Sequence, residues 1–573
     1  MNDVQALYAQ WLEGTASDPA LHAELTAIAG NEEEILDRFY KNLEFGTAGL
    51  RGVLGAGTNR MNLYTVGQAT QGLADYLNGQ QPGGSVAIGY DSRIGSEEFA
   101  RLSAEILAAN GVKAYLYRAL MPTPFVSFAV MRLGCSSGIV ITASHNPSQY
   151  NGYKCYDPAG YQMTEEAAAA TYACIAKVEM FGGVKRVPFE EALADGRIAY
   201  ISDELIEAFY AEVLTRPIHP EVVAASDLRI IYTPLNGTGN VPVRTVLDRA
   251  GFKQVRVVPE QEKPDGNFPT CPYPNPEIRQ VFECGLAMAE KEPADLLLAT
   301  DPDCDRVGIA VRTGSGYELL SGNDVGVLLC NYILSQRKAL GTLPEHPIIV
   351  KSFVSTPLAN KVCAKYGCEM IEVPTGFKYI GEIITNLEKQ GQKDRFILGF
   401  EESYGYLIGD HARDKDAVAA SLMICEMAAF YRAQGQTLVE VLGALYAEFG
   451  AYSNKLYNFT FAGASGMAKM AEIMNTTRAN PPKSVAGSPV TEVYDYANEI
   501  VTDTVTGATR PTGMIRTNVL KFAMADGNFA IVRPSGTEPK IKFYVTGIGA
   551  DPAAAAAAAE AIGADLRTAL GVE

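Results

Sequence analysis

Four stretches of this sequence gather side chains capable of chemistry. Gly138-Ile-Val-Ile-Thr-Ala-Ser-His-Asn-Pro147 is an apolar run that ends in a hydroxyl and an imidazole, Ser144 and His145. In Ala299-Thr-Asp-Pro-Asp-Cys-Asp-Arg306, Asp301, Asp303 and Asp305 alternate, so three carboxylates crowd together. Their mutual repulsion is costly unless a cation lies among them, and a hard divalent ion with oxygen ligands is the natural partner. Gly399-Phe-Glu-Glu-Ser-Tyr-Gly405 brings Glu401 and Ser403 to the end of a third apolar run. Arg533-Pro-Ser-Gly-Thr537, with Lys540 and Lys542 behind it, offers one anion a guanidinium, two hydroxyls and the amides of a glycine turn. A fifth, less specific stretch runs from Phe45 to Gly57, where glycines let backbone amides approach an anion and Arg51 adds a fixed charge. A hydroxyl nucleophile, a metal triad, a sugar-like polar set and a phosphate clamp are the parts that phosphoryl transfer needs. Serine has a high pKa, so a resting enzyme already phosphorylated at Ser144 is expected, the phosphate adding about −1.5 to −2 of charge.

Other chemistries are excluded by spacing. The aspartate loop lacks the glycine and terminal glutamate of an EF-hand, and it follows a strand where an entering helix should stand. Gly55-Ala-Gly57 is followed by Asn59 and Arg60 with no third glycine, so it is no dinucleotide fingerprint, and no Walker A sequence occurs. The formal charge of −18 argues against nucleic acid or an anionic membrane as partner and requires a local basic pocket for an anionic substrate. Ten cysteines without a CxxC pair suggest neither a zinc ribbon nor a disulfide framework. The start, Met1-Asn-Asp-Val, has no signal-peptide character, and no apolar run is long enough to span a bilayer, so a cytoplasmic protein is expected.

The elements that must position these groups follow from periodicity. With 573 residues, 47% hydrophobic, the chain can bury three or four cores. Residues 1–42 read as helices, with Val4, Leu7, Tyr8 and Trp11 on one face and Asp18-Pro19 opening the second. A strand at 85–90 ending in Asp91-Ser-Arg93, a helix at 97–109, a strand at 113–117 and the Ile139 strand form an alternating α/β pattern. Helices at 167–176 and 203–214 follow, then a strand at 228–232, a helix at 241–250 and the strand entering the aspartate loop. A third such segment has a helix at 324–334, a strand at 347–351, a strand from Glu369 into the turn bearing Thr375, Gly376 and Lys378, and the strand into Glu401. From about residue 456 the pattern changes to alternation, strand–loop–strand over 527–545 and an alanine-rich helix at 551–570. The expected domains are therefore 1–205, 206–324, 325–455 and 456–573: three uses of one α/β layout and a smaller α+β domain.

Followed by Asn151-Gly-Tyr-Lys154, the stretch Thr142-Ala-Ser-His-Asn-Pro147 resembles the phosphoserine signature of the α-D-phosphohexomutase family. All four loops occur in that family's order, so the resemblance covers nearly the whole chain. It implies three α/β domains with mixed sheets and an α+β C-terminal domain, the four arranged around a central cleft. It further implies a phosphorylated Ser144, with Asp301, Asp303 and Asp305 binding Mg²⁺ beside it, and Arg51, His145, Lys154 and Arg306 lining the reacting phosphoryl group. Lys154 is the candidate general acid or base, with His145 as the alternative. Glu401 and Ser403 would take the sugar hydroxyls, Thr375 and Gly376 would line the sugar site, and Lys415 would approach from the same domain. Arg533, Ser535, Gly536, Thr537 and Lys542 would hold the phosphate that is not reacting. The implied activity is interconversion of glucose 1-phosphate and glucose 6-phosphate through glucose 1,6-bisphosphate, by a monomer or weak homodimer. Pentose or mannose phosphates, or synthesis of the bisphosphate, are the alternatives on the same scaffold. Two departures stand out: Cys304 where many members have glycine, and a Glu-Glu-Ser-Tyr-Gly sugar loop, which points to the longer branch that also contains phosphopentomutases.

Overall fold

The β-branched run before Ser144 forms the strand Ser137–Ile141, whose five residues are all buried. Burying each of Ile139, Val140 and Ile141 contributes about 1.5–3 kcal/mol, which makes this strand a fixed base for the loop it feeds. The computed structural model describes residues 2–46, 49–461, 465–535 and 540–572. They fold as two compact units, one spanning 1–320, 380–398 and 404–434, the other 321–379, 399–403 and 435–573.

In the first unit, six strands order as Leu50–Val53, Tyr150–Tyr156, Ser137–Ile141, Ser85–Tyr90, Lys113–Leu116 and Ile198–Tyr200. The last four run parallel, while Tyr150–Tyr156 returns antiparallel beside the serine strand and Leu50–Val53 pairs antiparallel with that return. A second sheet repeats the plan, with Leu296–Thr300 parallel to Ile230–Thr233, and Val307–Thr313 returning antiparallel after the aspartate loop. In both sheets the loop, bearing Ser144 or the three aspartates, joins a buried parallel strand to its antiparallel return. The sequence reading did not anticipate the returns, because Tyr150–Tyr156 is polar at Asn151 and Lys154 despite being buried. Nor did it assign a strand to Leu50–Val53 within the glycine-rich stretch. Gly152 is required where these elements meet: a Cβ there would lie 2.5 Å from the Thr142 carbonyl oxygen and 2.9 Å from that of Leu50.

Three N-terminal helices, Asn2–Gly14, Pro19–Ala27 and Glu32–Phe39, pack Tyr8, Trp11, Leu25, Ile35 and Phe39 into a satellite core. Asp18 caps the second of them through Leu21 N–H, with Pro19 at its first turn, as read from sequence. Their ends grip the loop before residue 60: Glu24 accepts Ala56 N–H at 3.1 Å while Arg38 donates to the Ala56 carbonyl at 3.1 Å. The helix Ala417–Ala433 in the same unit is buried along almost its whole length.

The second unit holds the helix Gly322–Ala339, opened by a Ser321/Asp324 capping box and longer than expected, and the parallel strands Ile348–Ser352 and Glu369–Val373. Its C-terminal part is an antiparallel sheet in the order Ala451–Thr460, Lys540–Gly549, Phe529–Pro534, Leu520–Met524, Ser488–Asp495, Ile500–Asp503 and Thr509–Pro511, with Ser484–Val485 attached. The helices Ser465–Ala479 and Pro552–Leu570 share a core with it through Met474, Ile562 and Leu566. The chain thus carries three α/β/α domains followed by a β-rich C-terminal domain.

Candidate active site

Ser144 leaves the sheet in a left-handed conformation, φ 52°, which non-glycine residues adopt only when their surroundings hold them there. Thr142 Oγ1 donates to Asp91 at 2.6 Å and accepts Ser144 N–H at 2.8 Å. The Ser144 hydroxyl then donates to Asp301 Oδ2 at 2.9 Å and lies 3.1 Å from His145 Nδ1. Burial, followed by the charges of Arg306 and Arg51, pulls the His145 pKa well below its ordinary value, so the imidazole is neutral. Arg51, paired in register with Gly152, reaches the loop through Asn146 Oδ1 at 3.3 Å.

The three aspartates are essentially unexposed, and one oxygen from each lies within 4.8 Å of the others. Cys304, at φ 51°, turns the loop so that the amides of Asp305 and Arg306 donate to Asp301 Oδ1 at 3.1 and 3.0 Å. That left-handed turn explains why glycine suits the position; here a buried cysteine adopts it. Asp303 Oδ2 accepts from Lys154 Nζ at 2.8 Å and from Thr123 Oγ1 at 2.9 Å. Asp305 Oδ2 lies 3.2 Å from Lys154 and 3.0 Å from Lys415. Both oxygens of Asp301 are therefore held by the protein and one of each of the other two, while Asp303 Oδ1 and Asp305 Oδ1 are buried without a hydrogen-bond partner. Leaving two carboxylate oxygens so is expensive, and beside Asp301 Oδ2 and the serine they form an all-oxygen donor set that fits a hard divalent cation.

The electrostatics agree. Burial, then Asp303 and Asp305, push the Asp301 pKa well up, the signature of one negative charge too many. Burial works in the same sense on Asp303, but Lys154 outweighs it and holds that carboxylate low. Burial opposes the Lys154 ammonium, yet Asp303 and Asp305 prevail and raise its pKa, so Lys154 is charged. Lys154 stands on the return strand opposite Val140, and this register aims it at the aspartates. Lys415 is held between Asp305 and Asp414 at 3.0 and 3.1 Å, and Asp414 also accepts from Tyr156 at 2.6 Å. Arg306 pairs with Glu277 at 3.3 Å.

In the second unit Glu401 is 5% exposed and accepts Gly376 N–H at 2.8 Å, a geometry that uses the Gly376 φ of 128°. Its neighbour Glu402 accepts from Ser352 at 2.8 Å and Ser355 at 3.3 Å, which fixes the loop bearing Ser403. The Thr375 hydroxyl is buried without a partner. Arg533 pairs in register with Lys542, and Ser535 N–H donates to Lys540 O at 2.7 Å, placing two cations side by side at the neck of the hairpin. Burial and then Glu402 raise the Tyr544 pKa while Arg533, hydrogen-bonded to it, opposes them, so the Arg533 and Glu402 loops act on one tyrosine. Gly536 and Thr537 lie outside the described residues.

Comparison with known proteins places the chain as a whole. The Phosphoglucomutase/phosphomannomutase alpha/beta/alpha domains I, II and III match residues 42–181, 207–314 and 321–449. A phosphoglucomutase of Staphylococcus saprophyticus is 35% identical over 514 residues, 90% of this chain and 92% of that protein. The chain belongs to the α-D-phosphohexomutase family, in its phosphoglucomutase branch. A phosphoglucomutase of Staphylococcus aureus is 34% identical over 552 residues, 94% of each chain. The fold is shared with a putative phosphomannomutase from Thermus thermophilus, at a TM-score of 0.66 and 23% identity over 93% of this chain and 99% of that one. It is shared equally with the open form of parafusin from Paramecium, at a TM-score of 0.67 and 18% identity over 93% and 95%.

For this phosphohexomutase, the structure gathers Ser144, His145, Lys154, Asp301, Asp303, Asp305 and Lys415 in the first unit, with Arg51 and Arg306 at the edge. Lys415 meets the aspartate loop, a contact that the sequence reading, expecting it at the sugar, did not foresee. Thr123, which donates to Asp303, and Arg93, which donates to the Ser144 carbonyl, are not among the residues singled out from the sequence. Thr123 gave no signal, being an ordinary helix opener after Pro122. Arg93 gave one, a charged residue at a strand end in Asp91-Ser-Arg93.

Proposed function

We propose that this enzyme is a phosphoglucomutase that interconverts glucose 1-phosphate and glucose 6-phosphate, carrying the phosphoryl group on Ser144 and passing through glucose 1,6-bisphosphate. The observation that carries this reading is the Ser144 hydroxyl at 2.9 Å from Asp301, inside a buried aspartate cluster with two unsatisfied oxygens, in a chain 35% identical to a phosphoglucomutase. Asp301, Asp303, Asp305 and Ser144 would hold Mg²⁺. That ion would neutralise the non-bridging phosphoryl oxygens.

In the first transfer the P–Oγ bond of phospho-Ser144 breaks, the P–O6 bond forms, and the O6 proton replaces phosphorus on Oγ. After the bisphosphate turns end for end, Oγ attacks the C1 phosphate, P–O1 breaks, and O1 takes the proton. Lys154, charged and held by two aspartates, serves best as the acid toward the leaving oxygen, while neutral His145 orients Ser144. Arg51 and Arg306 supply fixed charge toward the phosphoryl group. We assign the sugar hydroxyls to Glu401 and Ser403, with Thr375 and Gly376 beside them, and the second phosphate to Arg533, Ser535, Gly536, Thr537 and Lys542. The domain division 1–205, 206–324, 325–455 and 456–573 gives each of the four loops its own domain.

A monomeric or weakly dimeric cytoplasmic enzyme is our reading of its context. All ten cysteines are unbridged thiols, and among the described residues no helix is long and apolar enough to cross a membrane.

The test is initial rates on glucose 1-phosphate, mannose 1-phosphate and ribose 1-phosphate, with Mg²⁺ and trace sugar bisphosphate, for wild type and Ser144→Ala. Glucose 1-phosphate should lead in kcat/KM and the variant should be inactive. A lead for ribose 1-phosphate overturns the substrate assignment, and mutase activity without the Ser144 hydroxyl overturns the phosphoserine mechanism.

A further inference from the structure

The serine loop closes around a single guanidinium. Arg93, whose side chain is wholly buried, donates through Nη2 to the carbonyls of Ser144, at 2.6 Å, and Asn146, and through Nη1 to those of Pro147 and Tyr150 at 2.9 and 3.0 Å. Its Nε lies 3.4 Å from Asp91 Oδ2 in an ion pair that lacks hydrogen-bond geometry, so the loop's carbonyls are held by the two terminal nitrogens of the fork. The guanidinium carbon stands 5.0 Å from the centre of the Phe268 ring, which belongs to the same segment as the aspartate loop. Four carbonyl dipoles converging on one buried point repel one another, and without a cation there the loop loses its reason to close. Asp91 serves both sides of the arrangement: it faces Arg93, and it accepts from Thr142, whose oxygen fixes Ser144 N–H. The N–H and C=O of Ser144 are thus both tied to the Asp91–Arg93 pair, in the left-handed conformation that the serine adopts at φ 52°.

We propose that Arg93 is a positioning residue for phosphoryl transfer, its guanidinium fixing the backbone on both sides of Ser144 so that Oγ keeps its line to the phosphorus. This inference rests on Ser144 being the phosphoryl carrier. A lysine cannot replace it, because a point charge cannot address four carbonyls and a carboxylate in one plane. Displacement of a reacting atom by about 1 Å costs roughly 100-fold in rate, which sets the scale of the expected effect.

The experiment follows the rate at which ³²P from labelled glucose 1,6-bisphosphate loads onto Ser144 in the full-length dephosphorylated enzyme. Wild type, Arg93→Ala and Arg93→Lys are compared, with circular dichroism as the folding control, and KM for glucose 1-phosphate is measured in steady state. Arg93→Ala should load about 100-fold more slowly with KM little changed, and millimolar guanidinium, but not methylammonium, should restore at least about a tenth of the wild-type rate. Arg93→Lys should be slow and not rescued. Loading of Arg93→Ala at the wild-type rate overturns the inference. So does a slow Arg93→Ala that guanidinium leaves slow, since the deficit is then one of folding. If wild type itself takes up no label, the phosphoserine reading falls, and that result is read from wild type alone.

Discussion

Replacing Thr123 with valine removes one hydroxyl at nearly constant volume and leaves the Thr123 backbone N–H on the Asp303 carbonyl at 2.9 Å. What is lost is the 2.9 Å hydrogen bond to Asp303 Oδ2, which with that from Lys154 turns the other oxygen, Oδ1, toward the other two aspartates. A hydrogen bond to a buried carboxylate is worth about 1.5–3 kcal/mol, and loss of a supporting partner behind a metal ligand lowers affinity by about 10–100-fold. The two figures agree, since a tenfold change corresponds to about 1.4 kcal/mol. Calorimetric titration of dephosphorylated enzyme with Mg²⁺ or Mn²⁺ should therefore show Kd raised by about one to two orders of magnitude for Thr123→Val. The melting temperature without metal should fall only modestly, because relieving the crowded carboxylates of a rigid orientation offsets part of the lost bond. An unchanged metal Kd beside a lowered melting temperature would refute the reasoning: the hydroxyl would then serve the domain contact and not the carboxylate's aim.

Two further outcomes come from the second unit. Glu401→Ala removes the acceptor for Gly376 N–H and the proposed sugar contact, so kcat/KM for glucose 1-phosphate should fall by at least about 10-fold while metal Kd stays at the wild-type value; rates and titration on the same preparation check both. Burial works to raise the Glu372 pKa, but Lys351 at 2.9 Å and Asn360 outweigh it and hold it below its ordinary 4.5. A depressed carboxylate stabilises the fold above its unfolded pKa, and that contribution is lost as pH falls through the folded value. Glu372→Gln should therefore melt below wild type near neutral pH, with the gap closing in the acid range below about 4 as wild type also becomes protonated; a gap that stays constant with pH would show that the pair is not the cause.

The sequence was most legible where chemistry is local. An apolar run ending in Ser-His, in alternating aspartates or in Glu-Glu-Ser announces a strand and its loop, because burial and polarity change within a few residues. The helix cap at Asp18-Pro19 was legible for the same reason. What was not legible depends on residues that meet from afar. Lys154 reaches Asp303 across 149 positions, Thr123 reaches it across 180, and Arg93 closes a loop more than 50 residues downstream. The return strand Tyr150–Tyr156 was hidden because its polar residues are exceptions to burial that only partners elsewhere make affordable. Cys304 illustrates the reverse: the departure was visible in the sequence, but its meaning required the backbone angle.

The antiparallel returns bear on how this enzyme can change over evolutionary time. Because the serine loop is pinned at both ends within one sheet, with Val140 opposite Lys154, its length is set as firmly as its residues. Inserting or deleting one residue between Ile141 and Tyr150 would slip the return strand by one position and send Lys154 to the opposite face of the sheet. The same holds between Thr300 and Val307, where register sets the turn that presents the aspartates. Substitutions can accumulate in these loops one at a time, whereas a single-codon insertion or deletion would remove the ammonium or the carboxylates at a stroke. A library of length variants in the two loops should therefore be depleted of active members far more severely than a substitution library of equal size.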